Sequence, residues 1–123
     1  MSIHRETLAW AAGFMDGEGS FTLGRRPARR PQLHVQIGQN HPEPLARFRD
    51  AVGVGRVYGP YARRGSGANH SFNPRFEYRT GSFENGQAVL AMLWPWLGSA
   101  KKAQAKRCLL AANGLVDELM RDD

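Results

Sequence analysis

The sequence predicts an α+β domain in which pairs of antiparallel strands are separated by helices. Two runs, 20–26 and 32–38, alternate apolar and polar side chains across a short basic turn, which is typical of a β-hairpin. Two further runs, at 54–62 and 75–80, flank a segment rich in Gly, Asn and Ser, which predicts a loop. Because helical periodicity precedes each pair of strands and follows the second pair, we expect the order α-β-β-α-β-β-α-α.

The first helix, predicted at 5–17, has no fully polar face. When successive residues are placed 100° apart, two sides of the helix are apolar and the third has almost no side chain. The apolar sides carry Leu8, Ala11, Ala12 and Met15, and then Trp10 and Phe14; the small side carries Ala9, Gly13 and Asp16. A helix without a polar face is buried all round, so we expect its small side to contact another backbone.

The three later helices are predicted from the residues that usually begin and end helices. Proline opens the helix at 43–52, and Gly53 closes it. Ser82 caps a helix that runs to about residue 94, where Pro95 interrupts it. Residues 100–121 form a last amphipathic helix.

Composition limits the classes of protein to which the chain belongs. Its 123 residues suit one domain, 1–123, and 41% apolar residues argue against disorder. The single cysteine, Cys108, excludes a disulfide within the chain and a cysteine metal site. No run of 18 apolar residues and no signal-peptide layout is present, so we expect an intracellular protein without a membrane partner.

The charge balance favours a polyanionic partner. The chain has 17 Lys and Arg against 11 Asp and Glu, a net charge of +6, and most of the basic residues are Arg. Arginine suits the planar recognition of phosphates and guanine edges, so nucleic acid is a candidate partner. From charge alone, a basic protein without a nucleic-acid partner is an equal alternative. No small-molecule substrate is expected.

The polar face of the predicted sheet carries side chains suited to base edges rather than the Lys and Glu of an ordinary surface. The candidate DNA-binding residues are Ser20, Thr22, Arg26, Arg30, Gln32, His34, Gln36, Arg56, Arg75, Glu77 and Arg79. Arg63, Arg64 and Lys102 are expected to meet phosphates. An ordinary solvated sheet face is the alternative.

Two carboxylates, Asp16 and Glu18, stand among three glycines where the first helix ends. A helix C-terminus carries partial negative charge, which disfavours acids there, and a bound cation is the simplest compensation. Oxygen ligands without nearby His or Cys suit Mg²⁺ or Mn²⁺ rather than zinc, with Ca²⁺ as a further substitute.

The run AAGFMDGEG at 11–19, flanked by Leu8 and by Ser20-Phe21, resembles the motif of the LAGLIDADG homing endonucleases. Weaker landmarks are VQIGQN at 35–40, VGVGRV at 52–57, LWPWL at 93–97 and KKAQA at 101–105. The resemblance implies an αββαββα fold whose antiparallel four-stranded sheet forms a DNA-binding saddle. Since one motif is present, it also implies a homodimer whose motif helices pack at the two-fold axis.

The resemblance also implies roles for single residues. Glu18 matches the metal-binding catalytic carboxylate, Gly17 offers a backbone carbonyl to the metal, and Gln39 orders water at the scissile phosphate. Lys101 matches a basic residue facing the active site, with Lys102 as a rival one position later. Asp16 is expected to form local hydrogen bonds. The expected dimer interface consists of Ala9, Ala12, Gly13 and Asp16.

The sequence therefore predicts a homodimeric, Mg²⁺-dependent endonuclease, intron-encoded or free-standing, that makes double-strand breaks in a long, pseudopalindromic DNA site. Strand lengths suggest a site on the order of 15–20 base pairs. One alternative is a LAGLIDADG-type DNA-binding protein or RNA-splicing maturase that does not cut DNA. A second is a structural homodimer with a solvated basic sheet.

Overall fold

The computed structural model describes residues 4–24, 32–62 and 74–112. The elements in chain order are α1 (Arg5–Glu18), β1 (Gly19–Gly24), β2 (Gln32–Gln39), α2 (Pro42–Val52), β3 (Arg56–Ala62), β4 (Pro74–Arg79), α3 (Phe83–Leu93), a 3₁₀ turn (Trp94–Trp96) and α4 (Ser99–Ala112). The predicted order and fold class are confirmed. The predicted extensions of the first strand to residue 26 and of the last helix to residue 121 lie outside the described residues.

The four strands form one antiparallel sheet in the order β1-β2-β4-β3. Phe21 lies opposite Val35, and Ile37 lies opposite Tyr78, so the apolar positions of neighbouring strands share one side of the sheet. All four helices pack on that side, and the buried core lies between them and the sheet. Among the described helices, none is both long enough and apolar enough to cross a membrane.

Helix α1 packs against its own chain on its two apolar sides, and the contact of its small side with another backbone stays a prediction. Ala11, Ala12 and Met15 are fully buried, and the two aromatic residues Trp10 and Phe14 stack on each other with ring centroids 5.2 Å apart. The small side is open, because Gly13, Asp16 and Gly17 are exposed and Ala9 is half-buried. The prediction is therefore correct for two sides of α1, and the third side is bare in the single chain.

The passage from α1 to β1 uses no loop. Gly19 ends the helix with an extended backbone, and its N–H donates to the carbonyl of Met15. A Cβ at this position would collide with the end of the Met15 side chain and lie 3.1 Å from Ile37, so any other residue would have to displace Met15. The end of the helix and the start of the strand are consequently fixed by the core.

Side chains extend the pairing of β2 with β4 and bind β4 to the segment between α2 and β3. The Thr80 hydroxyl accepts a hydrogen bond from the Val35 N–H at 2.9 Å, and the Thr80 N–H donates to the Val35 carbonyl at 3.2 Å. Tyr78 donates to the carbonyl of Val54 at 2.8 Å. Burial raises the pKa of Tyr78 well above its ordinary value, against a smaller lowering by Arg49, so the hydroxyl stays a donor.

Candidate functional site

Glu18 and Gln39 meet at the point where α1 becomes β1. Gly19 lies opposite Ile37 in the sheet, so β2 runs two residues further and ends beside the last residue of the helix. The Gln39 amide nitrogen Nε2 donates to Glu18 Oε2 at 3.0 Å, and the pair is exposed. Among the described contacts, this hydrogen bond uses only Oε2, so Glu18 Oε1 has no partner within the described residues.

Asp16 forms a different contact, on the other side of α1. Both of its carboxylate oxygens accept from the N–H of Gly98, at 3.1 and 3.0 Å. Gly98 directly precedes α4, and its carbonyl accepts from the Lys102 N–H, so Asp16 sits at the N-terminus of that helix. The partial positive charge there offsets the unfavourable end of α1. The protein itself therefore compensates Asp16, and the argument for a cation applies to Glu18 alone.

Helix α4 separates the two candidate lysines. Gln104 accepts from the Phe21 N–H at 2.8 Å, and Cys108 donates to the Phe21 carbonyl at 3.6 Å, so this flank of α4 lies against β1. Lys101 is on the same flank, one turn before Gln104 and just after the Gly98 that Asp16 binds. Lys102 is on the opposite flank, with its Nζ 5.0 Å from the centre of the Trp94 ring.

The polar face of the sheet carries the predicted DNA-binding residues that the structure describes. The alternation of the strands turns these residues away from the core: Ser20, Thr22, Gln32, His34, Gln36, Arg56, Arg75, Glu77 and Arg79. Arg26 and Arg30, and the phosphate candidates Arg63 and Arg64, lie outside the described residues. We call this surface the open face.

Three residues of this region were missed from the sequence. The Tyr58 ring lies under the Arg79 guanidinium at 4.3 Å, and the Tyr61 hydroxyl accepts from Arg79 Nη2 at 3.2 Å. Thr80 holds His34, whose Nδ1 is 3.1 Å from the Thr80 carbonyl. Tyr58 lies two residues after Arg56 and so on the same face of β3, and alternation along the strand could have predicted it. Tyr61 reaches this face only through a register shift in β3.

Comparison with solved structures identifies the architecture. The DNA complex of the homing endonuclease I-CvuI superposes with a TM-score of 0.66 at 23% identity, over 90% of this chain and 68% of that one. The DNA-bound LAGLIDADG meganuclease I-AabMI gives 0.64 at 22%, over 95% and 39%. The archaeal intron-encoded homing endonuclease I-Vdi141I, complexed with DNA, gives 0.60 at 22%, over 91% and 70%. The chain has the LAGLIDADG homing-endonuclease fold. No protein-family model and no curated protein matches the sequence.

Within the LAGLIDADG fold, α1 is the motif helix, and its exposed small side is where the sequence placed the dimer interface. Gly13 is exposed, with no atom within 4 Å of the place where a Cβ would stand, and Ala9 is half-buried. The structure corrects the prediction for Ala12, which is 0% exposed within the single chain and so has no surface to offer a partner. Asp16 is exposed, but its carboxylate is engaged with Gly98.

The motif supplies donors that fit a hard divalent cation. Glu18 presents carboxylate oxygen beside the exposed Gly17, and these are the ligand types that Mg²⁺ takes together with water and phosphate oxygens. Across residues 4–24, 32–62 and 74–112, no three His, Cys, Asp or Glu side chains cluster as a metal site. The described part of one chain thus brings a single carboxylate to this position.

Proposed function

We propose that this chain is a site-specific, divalent-metal-dependent DNA endonuclease that acts as a homodimer. The observation that carries the proposal is the exposed Glu18 carboxylate, held by Gln39 at the edge of the open face. A carboxylate fixed next to a sheet rich in Arg, Gln and His brings a hydrolytic group beside a surface that suits DNA. The solved structures of this fold, which are homing endonucleases complexed with DNA, support the same assignment.

The metal would be held by the Glu18 carboxylate and the Gly17 carbonyl. When bound there, Mg²⁺ or Mn²⁺ would activate water and stabilise the charge that develops on the phosphate. The donor set of this chain suits these ions, because it offers oxygen without His or Cys.

The other residues of the site orient groups and balance charge. Gln39 keeps the Glu18 carboxylate in place through its amide N–H. Its amide oxygen would accept a hydrogen bond from water at the scissile bond and so orient that water. Lys101 stands on the flank of α4 that faces β1, so its ammonium stabilises negative charge at the phosphate. Lys102, placed over Trp94, is the weaker candidate for this role.

A second copy of the chain completes the site in this proposal. One motif helix supplies one Glu18, and the bare side of α1 around Ala9 and Gly13 allows another helix to approach closely. Two copies related by a two-fold axis would bring two Glu18 carboxylates together, where their repulsion is relieved by cations between them. The two open faces would then read a site with two-fold symmetry.

Cleavage assays on a selected DNA site test the proposal. Wild-type protein is used in EDTA to select binding sites from a randomised duplex library, and the enriched duplex is then incubated with Mg²⁺. We expect both strands to be cut, and Glu18→Gln to bind the duplex while losing at least about a hundredfold in cleavage rate, since metal assistance contributes several kcal/mol.

Glu84→Gln is the matched control, because it neutralises an exposed acid on α3. It should cut at the wild-type rate. Wild-type protein that enriches no sequence would contradict the proposal, and cleavage that persists in Glu18→Gln would remove Glu18 from the site.

A further inference from the structure

We propose that Arg79 specifies guanine within each half of the DNA site, and that Tyr58, Tyr61 and Glu77 position it for that contact. The inference rests on the proposed function, because it concerns how the open face reads DNA. It assigns different roles to residues that the sequence placed in one group.

Three groups hold the Arg79 guanidinium on three sides. The Tyr58 ring stacks beneath it at 4.3 Å, the Tyr61 hydroxyl accepts from Nη2 at 3.2 Å, and Glu77 Oε2 lies 3.7 Å from Nε. Arg79 nevertheless remains exposed, with 45% of its side chain accessible. A side chain that is both oriented and exposed loses little conformational entropy when it binds a ligand.

The contacts leave the recognition edge of the guanidinium available. The Tyr61 hydroxyl takes one Nη2 hydrogen, and Glu77 faces Nε, so Nη1 and the second Nη2 hydrogen are uncommitted among the described contacts. Two parallel N–H groups match the O6 and N7 acceptors of guanine in the major groove. Beside Arg79, a cleft of about 340 Å³ lined by Thr22, His34 and Gln36 leaves room for a base edge.

Glu77 acts through Arg79 rather than on DNA. Its Oε1 accepts from Gln36 Nε2 at 2.7 Å and its Oε2 faces Arg79, so both oxygens are used within the protein. Only 19% of its side chain is exposed. Glu77 is therefore a positioning residue, which changes the role that the sequence suggested for it.

The other arginines of the open face lack such support in the described part of the chain. Arg75 lies across Gly38, where a side chain would collide with its guanidinium, and Arg56 is exposed. Neither is held by an aromatic ring, a hydroxyl or a carboxylate among the described residues. Cations without a fixed orientation partner suit phosphates, which add affinity without sequence preference.

Selection from the randomised duplex library tests the inference when wild-type protein, Arg79→Ala, Arg79→Lys and Arg56→Ala are compared. We expect the wild-type site to contain a guanine at one symmetry-related pair of positions. Replacing that guanine should weaken wild-type binding by about five- to a hundredfold, the range for a bidentate arginine contact. Arg79→Ala removes the donors and should lose this preference, whereas Arg79→Lys keeps the charge but not the planar pair of N–H groups. The lysine variant should weaken the preference while retaining its affinity for unselected duplex.

One further variant, Tyr58→Leu, separates positioning from contact, with Arg56→Ala as its control. Tyr58→Leu removes the platform under the guanidinium and should reduce the guanine preference in part, whereas Arg56→Ala should weaken all sequences evenly. A guanine preference that survives in Arg79→Ala, or a uniform loss of affinity in that variant, overturns the inference while the proposed function stands. Wild-type protein that selects no site overturns both.

Discussion

Asp16 and Glu18 stand two residues apart at the end of α1, yet the two sides of this junction use their carboxylates differently. On the α4 side, Asp16 binds the N–H of Gly98 with both oxygens. On the β2 side, Glu18 is held through one oxygen by Gln39 and stays exposed. One acid joins two helices, and the other presents an oxygen to solvent. The role of each carboxylate thus depends on the element that its side chain contacts and not on its place in the motif alone.

The strongest test of the Glu18 side is the loss of its partner. Gln39→Met keeps the length of the side chain but removes the amide that orients the carboxylate. Because such supporting hydrogen bonds typically contribute 10- to 100-fold to metal affinity or activity, we expect cleavage to slow by about that factor. Excess Mg²⁺ should restore part of the rate, measured as cleavage of the selected duplex. An unchanged rate would show that Glu18 needs no support from β2.

The Asp16 side should affect stability instead. Asp16→Ala removes both bonds to Gly98, and we expect the free energy of unfolding in urea to fall by about 1 kcal/mol. The loss is no larger because Asp16 is exposed and because its charge lies at the negative end of α1. Asp16→Asn should retain part of this stability. Cleavage at low temperature should change only a few-fold in both variants. A loss as large as that in Glu18→Gln, with stability intact, would place Asp16 in the catalytic site.

The smallest expected effect comes from a substitution on the exposed small side of the same helix. Gly13→Ala fits the single chain, because nothing lies within 4 Å of the added Cβ, and alanine in a helix is favoured over glycine by about 0.5–1 kcal/mol. The monomer should gain that much, whereas the added methyl should weaken dimer association in sedimentation equilibrium. Ala103→Gly, at an exposed position of α4, is the control. It should lower the stability of the monomer and leave dimer association unchanged. Association that strengthens in Gly13→Ala would exclude close packing at this position.

Local patterns were sufficient for the order of the helices and strands but not for all of their ends. Strand β3 begins at Arg56 rather than at residue 54. Gly53 and Gly55 adopt positive φ, and Tyr78 packs against Gly55, so the backbone cannot be extended there. That contact comes from a strand more than twenty residues away. The periodicity of the residues around position 55 carries no information about this contact.

The site shows the same division between local and distant information. The motif placed Glu18 at the end of a helix, and the resemblance gave Glu18 and Gln39 separate roles at one active site. The register of β1 and β2 brings the two side chains into contact, which the sequence did not predict. The bond between Asp16 and Gly98 spans 82 residues, so no local pattern signals it. Tyr61 joins the open face only because β3 shifts register. Contacts between residues distant in sequence therefore determine the role of Asp16 and the position of Tyr61, which local patterns did not predict.

The direct passage from α1 to β1 has a consequence for how two copies would measure DNA. Because no loop separates α1 from β1 at Gly19, a change in the separation of two motif helices would move the strands that follow them by a similar distance. In the proposed dimer, the number of base pairs between the two half-sites is thus set by helix contact rather than by the recognition residues. Changes in base preference on the open face and changes in half-site spacing would accordingly arise from different substitutions.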